Sequence, residues 1–257
     1  MTAKLAKRIT YTGLPGIPSI REGDNLADMI SVALNDVGIV LADGDVLVIA
    51  QKIVSKAEGR RANLSDFTPS AEAHRLAGIV KKDPRHVEAI LSESTEVIRA
   101  AEGVLIVAHR LGFVMANAGI DQSNVGGDSD GILMLPGDPD ATCARLKAEL
   151  DLRHSADLGI IINDSFGRPW RSGVVGVAIG AAGMPALQSL VGTPDLYGRA
   201  LRITEVALAD ELAAAASLVT GQSAEGLPVV HVRGFAATGQ PSNAAALIRP
   251  KERDLFR

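Results

Sequence analysis

The chain has 257 residues, 47% of them hydrophobic, and a formal net charge of -4, with Lys and Arg spread along its length. The sequence shows no cluster of basic residues that would bind nucleic acid or an anionic membrane, and this favours a small-molecule ligand. No apolar run reaches about 18 residues, residues 1–8 are not followed by a signal-peptide core, and Cys143 is the only cysteine. We therefore expect a cytoplasmic protein without a disulfide or a cysteine-based zinc site.

Sequence patterns in the first half predict helices that alternate with short strands. Apolar residues at three- and four-residue steps predict a helix over residues 26–37, which Asp24 can cap and Gly38 can end. Residues 68–94 are expected to form two helical pieces broken near Pro84, because proline lacks an amide donor and disfavours helix in the residue before it. Strands are predicted at the apolar runs 45–50, 104–108 and 113–116.

The second half predicts two more helices, three strands and two glycine-rich loops. Asp138 and Pro139 open a helix that continues to about Leu150, and an alanine-rich helix over residues 204–219 should pack closely against a neighbour. Strands are predicted at residues 158–162, 173–180 and 229–232, and loops at residues 126–131 and 221–226. The first of these strands is continuously apolar and should be buried on both faces. The irregular order favours a single α+β domain over residues 1–257, with mixed sheets and interspersed helices.

A polar segment at residues 119–124 follows the apolar stretch that precedes it. It contains Asp121 and Asn124, whose oxygen atoms could bind a divalent cation and a phosphate or base edge. The alternative is an aspartate that caps a turn, and the residues of this segment alone leave both interpretations open.

A second polar segment, residues 163–171, is expected to form a loop at the end of the buried strand. It places Asp164 and Ser165 where a negative charge is costly without a partner. A divalent metal would supply that partner, and so would a structural salt bridge to Arg168 or Arg171. Trp170 could stack on a flat ligand or anchor the loop in the core. Two carboxylates beside amide, hydroxyl and guanidinium groups can hold a hard metal ion against a phosphate, which points to phosphoryl chemistry.

Two further segments offer candidate ligands, although neither of the two commonest glycine-loop nucleotide motifs occurs. Side chains that could gather around phosphates, or could simply be solvated, follow the strand at residues 45–50; they are Gln51, Lys52, Ser55 and Lys56. In the loop at residues 221–226, Gln222 and Glu225 could complete a set of oxygen ligands, or the loop could be no more than a helix cap followed by a turn.

Taken together, these segments resemble the coenzyme F420-0:L-glutamate ligases, also called gamma-glutamyl ligases. Order and spacing agree over nearly the whole chain, and the two longest shared strings are highly specific. The strings are Val-Ser-Lys-Ala-Glu-Gly-Arg at residues 54–60 and Asp-Ser-Phe-Gly-Arg-Pro-Trp-Arg at residues 164–171. Ser165 stands where threonine is common, residues 220–227 match more loosely, and no nitroreductase-like domain of the kind that follows in some relatives is recognised in the chain.

The resemblance implies a GTP-dependent enzyme that adds L-glutamate to the lactyl carboxylate of the deazaflavin precursor F420-0, and then adds a gamma-linked glutamate. It implies an F420 gamma-glutamyl ligase-like fold in an intertwined homodimer, with Mg²⁺ or Mn²⁺ and K⁺ as cofactors. The residues implied to contact GTP are Leu14, Pro15, Gly16, Ile17, Gln51, Lys52, Lys56 and Asn124. Those implied to bind divalent metal are Asp121, Asp164, Ser165 and Gln222.

As a mechanism, phosphorylation of the acceptor carboxylate by GTP would form an acyl phosphate, which the amino group of glutamate attacks. Lys56, Asp121 and Asp164 are the predicted catalytic residues, and Arg168 and Arg171 are predicted to bind substrate carboxylates or the acceptor's phosphodiester. Two other functions remain open on these residues. A metal-dependent phosphatase would use the same aspartates to activate water, and a non-catalytic nucleotide- or deazaflavin-binding module would bind without turnover.

Overall fold

The computed structural model describes residues 6–123 and 130–255, which form an α+β structure with several sheets. The strands are β1 Thr10–Gly13, β2 Val46–Ala50, β3 Arg61–Asn63, β4 Ser94–Ala101, β5 Val104–His109, β6 Val114–Ala116, β7 Gly131–Leu133, β8 Gly159–Arg168, β9 Arg171–Ala182, β10 Gln188–Ser189, β11 Glu205–Val206 and β12 Val229–Arg233. The helices are α1 Leu26–Asp36, α2 Gln51–Ala57, α3 Ala71–Val80, α4 Pro84–Ser92, α5 Pro139–His154 and α6 Leu208–Thr220.

The main sheet has five strands in the order β1-β12-β2-β8-β9. Strands β2 and β8 are parallel, and every other neighbouring pair in this sheet is antiparallel. The sheet is therefore mixed, as the irregular order of elements predicted. Two-stranded sheets pair β3 with β7 and β10 with β11, and a three-stranded sheet has the order β4-β5-β6. No helix of the described residues is long and apolar enough to cross a membrane.

Strand β8 is buried on both faces at its start, which explains its unbroken apolar run. Ile160 and Ile162 belong to the core on the side of α1 and α5, whereas Ile161 belongs to the core beneath α6. Side chains alternate between the two faces of a strand, so adjacent isoleucines fill different cores. The prediction of a doubly buried strand is confirmed, and it fixes which side chains of β8 face which side of the sheet.

Glycines in β9 let helices approach the sheet closely from both sides. A Cβ atom on Gly176 would lie 2.3 Å from the backbone oxygen of Ala213 in α6, and one on Gly180 would lie 2.5 Å from that of Pro139 in α5. Neither backbone atom can move as a flexible side chain could, so both positions require glycine. The close packing expected of the alanine-rich helix is confirmed.

A third core lies between helices α3 and α4 and the sheet of β4, β5 and β6. The predicted break between the helices is confirmed: α3 ends at Lys81 in a left-handed conformation (φ 56°), and α4 begins with Pro84, capped by Asp83. Strand β4 was not predicted, because residues 94–101 show no clean alternation; its register with β5 shifts twice, so the period of two is interrupted.

Several predicted boundaries differ from the structure. Asn25, not Asp24, caps α1, and Asp24 instead accepts a hydrogen bond from the Arg21 amide. Helix α5 extends to His154, while α6 starts only at Leu208 because residues 205–206 pair with β10. Residues 163–168 are not a loop but continue β8 into a long hairpin with β9. Most of the predicted loop at residues 126–131 lies outside the described residues.

Candidate functional site

The second polar segment lies on β8, so its side chains alternate between two sides of the sheet. Ser165 pairs with Gly176, whose missing Cβ faces α6, and Asn163 shares that side with Ser165. Asp164 and Phe166 point to the opposite side, where Phe166 packs against the core of α1 and α5. The hairpin therefore presents an amide and a hydroxyl on one side and a carboxylate on the other.

Asp121 is held near Asp164 by a backbone turn that sequence patterns do not reveal. Three consecutive residues, Asn117, Ala118 and Gly119, have positive φ values of 51°, 53° and 65°. This conformation is uncommon outside glycine, and it is tolerated where surrounding contacts hold it in place. The Asn117 side chain accepts from the Leu105 amide at 3.2 Å, and Asp121 exchanges two 2.9 Å backbone hydrogen bonds with Leu133 in β7. Asp121 is thus fixed by its backbone.

Gln51 joins the two carboxylates. Its side-chain amide donates to Asp121 Oδ2 at 2.8 Å, and a hydrogen bond from Gln51 also lowers the pKa of Asp164. Gln51 is only 1% exposed, and its own carbonyl accepts a 2.8 Å hydrogen bond from the buried Ser55 hydroxyl one helical turn later. Ser55, which the sequence left as a candidate phosphate ligand, therefore fixes the orientation of Gln51.

Two lysines of α2 bring positive charge to the carboxylates. Lys52 Nζ lies 3.4 Å from Asp121 Oδ1 and donates to the backbone oxygen of Ser123 at 3.3 Å. Burial lowers the pKa of Lys56, the nearby cations Arg61 and Lys52 lower it further, and Asp121 raises it. Lys56 thus lies among two other cations near Asp121, and a bound anion there would favour its charged form.

The pKa values of both aspartates are raised, because neither carboxylate is fully compensated. Burial, followed by the charge of Asp121, raises the pKa of Asp164 to about 7. Burial also raises the pKa of Asp121, against the opposing effect of Lys52. Among the described residues no arginine pairs with either aspartate, and Arg168 donates instead to the Gly173 carbonyl at 3.1 Å. The alternative of a structural salt bridge from Arg168 or Arg171 to Asp164 is therefore wrong.

Asp121 and Asp164 fit a small divalent cation to which the protein supplies few ligands, while water and phosphate oxygens supply the others. No group of three or more His, Cys, Asp or Glu side chains converges as a metal site within residues 6–123 and 130–255. Mg²⁺ is commonly bound through only one or two carboxylates plus substrate phosphates, and two repelling, partly buried carboxylates are stabilised by such an ion. Asp121 and Asp164 thus match a cation shared with a ligand, not a closed protein cage.

A large cleft of about 380 Å³ opens beside these groups. Its walls are residues 17–19, the first turn and a half of α2, residues 163–165 of β8, and residues 217–228 at the end of α6 and in the loop that follows. It therefore brings together Ile17, Gln51, Lys52, Lys56 and, on its far wall, Gln222. A small cavity of about 140 Å³ lies behind it, lined by Asp121 and by residues 115–116 and 164–167. Asp164 and Ser165 line both spaces.

Several residues implied by the resemblance lie away from the large cleft. The Leu14 side chain is fully buried in the core, and neither Pro15 nor Gly16 lines the cleft. Arg168 and Arg171 sit at the tip of the β8–β9 hairpin, outside both the cleft and the small cavity. Asn124 lies outside the described residues. The roles predicted for these residues remain predictions.

Trp170 turns the hairpin in a left-handed conformation (φ 65°) and is 87% exposed. The interpretation that it anchors the loop in the core is therefore wrong for this chain taken alone.

Glu225, the other open candidate, folds back onto its own loop. Its carboxylate accepts from the Ser223 amide at 2.9 Å, and hydrogen bonds from the amides of Gln222 and Glu225 also lower its pKa. Gly221 has a positive φ of 74°, a conformation that favours glycine at this point of the loop.

Asn163 is a buried polar residue of the large cleft that was not predicted as a site residue. Its side chain is 6% exposed, and its Oδ1 has no hydrogen-bond partner among the described residues. Buried polar atoms are nearly always paired with protein, water or ligand, so this acceptor in the wall of the cleft is a candidate ligand contact. Its position between a buried strand and Asp164 was the available signal.

Part of the specific string at residues 54–60 serves the structure instead of the cleft. Glu58 accepts from the Gly137 amide at 2.8 Å and from the Thr142 hydroxyl at 2.6 Å. Arg60 donates to the Leu135 carbonyl and forms an ion pair with Glu93 at 2.8 Å. These contacts hold the segment before α5 against α2, and so support the helix that carries Gln51.

Similarity to known proteins extends over almost all of this architecture. A family model described as F420-0:Gamma-glutamyl ligase matches residues 16–234. The chain is 47% identical over 252 residues to the coenzyme F420:L-glutamate ligase of Methanothermobacter thermautotrophicus, covering 97% of this chain and 99% of that protein. It is 40% identical over 256 residues to the protein of the same name from Methanocaldococcus jannaschii, covering 99% of each. The chain therefore belongs to the F420-0:gamma-glutamyl ligase family.

Proposed function

We propose that this protein is a GTP-dependent ligase that adds L-glutamate to the lactyl carboxylate of coenzyme F420-0, and then adds a gamma-linked glutamate. The relatives named above are called coenzyme F420:L-glutamate ligases. The observation that carries the proposal is the pair of incompletely compensated carboxylates, Asp121 and Asp164, at the junction of the large cleft and the small cavity. A carboxylate-activating ligase needs such a junction, where a phosphoryl donor meets an acceptor.

The nucleotide is assigned to the large cleft. Its volume of about 380 Å³ lies within the usual range for small-molecule sites, and Lys52 and Lys56 provide positive charge on one wall. The loop of residues 221–226 also lines this cleft. Its backbone amides already bind the Glu225 carboxylate, which shows that they can hold an anion. Asn163 adds a neutral acceptor for a donor or cation of the bound ligand.

A divalent cation, Mg²⁺ or Mn²⁺, is assigned to Asp121 and Asp164, with Ser165 and Gln222 as further oxygen donors. When bound, it would neutralise charge on the phosphates and on the acceptor carboxylate. Gln51 orients both carboxylates through its side-chain amide, and Lys56 neutralises charge that develops on the transferred phosphoryl group. K⁺ is proposed as a second cofactor on the strength of the resemblance alone.

The chemistry follows from the poor reactivity of a carboxylate toward an amine. Transfer of the terminal phosphoryl group of GTP to a carboxylate oxygen gives an acyl phosphate and GDP. The free amino group of glutamate then attacks the acyl carbon and expels phosphate, forming the amide and releasing a proton. The protein's part is to align the groups and stabilise charge, so no covalent enzyme nucleophile is required.

A homodimer is also proposed. Several large apolar side chains are more than half exposed on the described residues, which is unusual for the surface of an isolated chain. They are Val32, Val40, Leu152, Trp170, Val174, Val191, Leu196, Tyr197, Ile203, Leu218 and Leu255. Most lie on the β8–β9 hairpin or on the segment between β10 and α6, and association of two chains would cover them.

The test is mass spectrometry of a reaction containing protein, F420-0, GTP, Mn²⁺, K⁺ and L-glutamate. We expect product mass to rise in glutamyl steps, and the Asp164→Asn variant to form no product although it remains folded. Phosphate release that is independent of glutamate and acceptor would instead identify a phosphatase. Binding of nucleotide and acceptor with no turnover would identify a binding module, and either result refutes the ligase proposal.

A further inference from the structure

The small cavity does not end at the two aspartates. An outer cavity of about 220 Å³ lies on the other side of Phe166, lined by residues 112–114, 177–178 and 247–249 together with Phe166, Asp210 and Asp254. Phe166 lines both spaces and forms an edge-to-face pair with Phe113, their ring centroids 6.0 Å apart. Each space alone is smaller than the roughly 300 Å³ of an ordinary ligand site. We call these two spaces, which share Phe166 as a wall, the trough.

The far end of this trough carries one cation, Arg249, and two carboxylates, Asp210 and Asp254. Arg249 lines the outer cavity and also the neighbouring space along β4 and β5, and within the described residues it forms no ion pair. The nearby Lys251 is instead paired with Glu96 at 2.7 Å. Of the two carboxylates in the outer cavity, Asp210 already accepts from the Ala178 amide at 2.9 Å. Arg249 is therefore the cation left to bind a ligand there.

The residue before Arg249 contacts the turn between β5 and β6. Ile248 packs against the turn between β5 and β6 so tightly that a Cβ on Gly112 would lie 2.9 Å from Ile248 Cδ1. Gly112 has a positive φ of 92°, so the turn itself also favours glycine. This contact places Ile248 beside that turn, and Gly112, Ile248 and Arg249 all line the outer cavity.

We infer that the trough is the acceptor subsite: the carboxylate to be extended lies at Asp121 and Asp164, an apolar or aromatic part of the acceptor crosses Phe166, and an anionic group of the acceptor binds Arg249. The assignment rests on the proposed ligase function. It replaces the hairpin arginines with Arg249 as the specificity-determining contact, because Arg168 and Arg171 line neither the trough nor the large cleft. The reacting ends of nucleotide and acceptor then meet at Asp164 from opposite sides.

The experiment compares Arg249→Ala, Arg249→Lys and Arg253→Ala. Arg253 is an exposed arginine of the same segment that lines neither cavity, so it is the matched control. Equilibrium dialysis would give the dissociation constants of F420-0 and of GTP separately, without turnover. Loss of a charge-assisted hydrogen bond should weaken acceptor binding about ten- to a hundredfold in Arg249→Ala. GTP binding should change by less than about twofold, because Arg249 lies outside the large cleft.

The lysine variant should recover part of the acceptor affinity, because it keeps the charge but loses the planar fork of donors. The salt dependence of acceptor binding should diminish in Arg249→Ala and persist in Arg253→Ala. Acceptor affinity that is unchanged in Arg249→Ala, or equal losses for acceptor and GTP, would overturn the assignment. If the wild type adds glutamate and the Arg249→Ala variant binds the acceptor as tightly as the wild type, the result would refute the assignment of the trough but not the ligase function. Arg249-dependent acceptor binding without any turnover would refute only the ligase function.

Discussion

Replacing Asp164 with asparagine should stabilise the ion-free protein at pH 8, although the same change should abolish glutamate addition. The Asp164 carboxyl is partly buried beside Asp121, and its pKa is raised from the ordinary 3.8 to about 7. Between these values the unfolded chain releases a proton that the folded chain retains. Stability of the wild type should therefore fall as pH rises from about 4 to about 7, and then level off.

The size of the effect follows from the shift. At about 1.4 kcal/mol per pKa unit, a shift of roughly three units sets an upper limit of about 4 kcal/mol at pH 8. Solvent reaches part of the side chain, and the hydrogen bond from Gln51 survives in the amide, so we expect about 1–2 kcal/mol. The gain in stability should vanish below about pH 4, where the Asp164 carboxyl is protonated in both the folded and the unfolded chain.

Urea denaturation in the presence of a chelator, at several pH values between 4 and 8, measures this difference. Asp36→Asn, a change at an exposed position of α1, is the control and should shift stability by less than about 0.5 kcal/mol. Mn²⁺ should then stabilise the wild type more than the Asp164→Asn variant. A variant that is less stable than the wild type at pH 8 without metal would refute the reasoning.

Three further changes test the packing and the large cleft. Gly176→Ala should destabilise the protein by about 1–3 kcal/mol in urea denaturation, because its Cβ would meet a backbone oxygen of α6, whereas Gly167→Ala, with open space around it, should be nearly neutral; equal effects would contradict the close approach. Asn163→Leu should raise the stability of the free protein by about 1 kcal/mol and reduce the thermal shift caused by GTP, and a loss of stability would show that the amide is satisfied. Lys56→Ala should raise the KM for GTP about tenfold or more while leaving F420-0 affinity unchanged, and equal losses would argue against its assigned role.

The local features of the fold were predictable where sequence periodicity and sterics act alone. The apolar run of β8 predicted a strand buried on both faces, and Pro84 predicted the break between α3 and α4. Strand β4 and the extension of β8 through residues 163–168 were not predictable. Their residues are mixed in polarity, and pairing with a partner strand decides their conformation.

The same limit applies to the candidate site. Sequence identified Asp121 and Asp164 as candidate ligands by their surroundings, but their meeting depends on a left-handed turn at residues 117–119 and on pairing with β7. Ala118 in that turn carries no residue-type signal for its conformation. The orphaned oxygen of Asn163 and the trough to Arg249 depend on contacts between distant segments, and so became visible only in three dimensions.

The most direct test of the account is a crystal structure with Mn²⁺ and GTP, using anomalous scattering to locate the metal. We predict a Mn²⁺ ion within about 2.0–2.4 Å of a carboxylate oxygen of both Asp121 and Asp164, with further ligands from the nucleotide's phosphates. GTP bound in the large cleft with no ion touching either aspartate would contradict it.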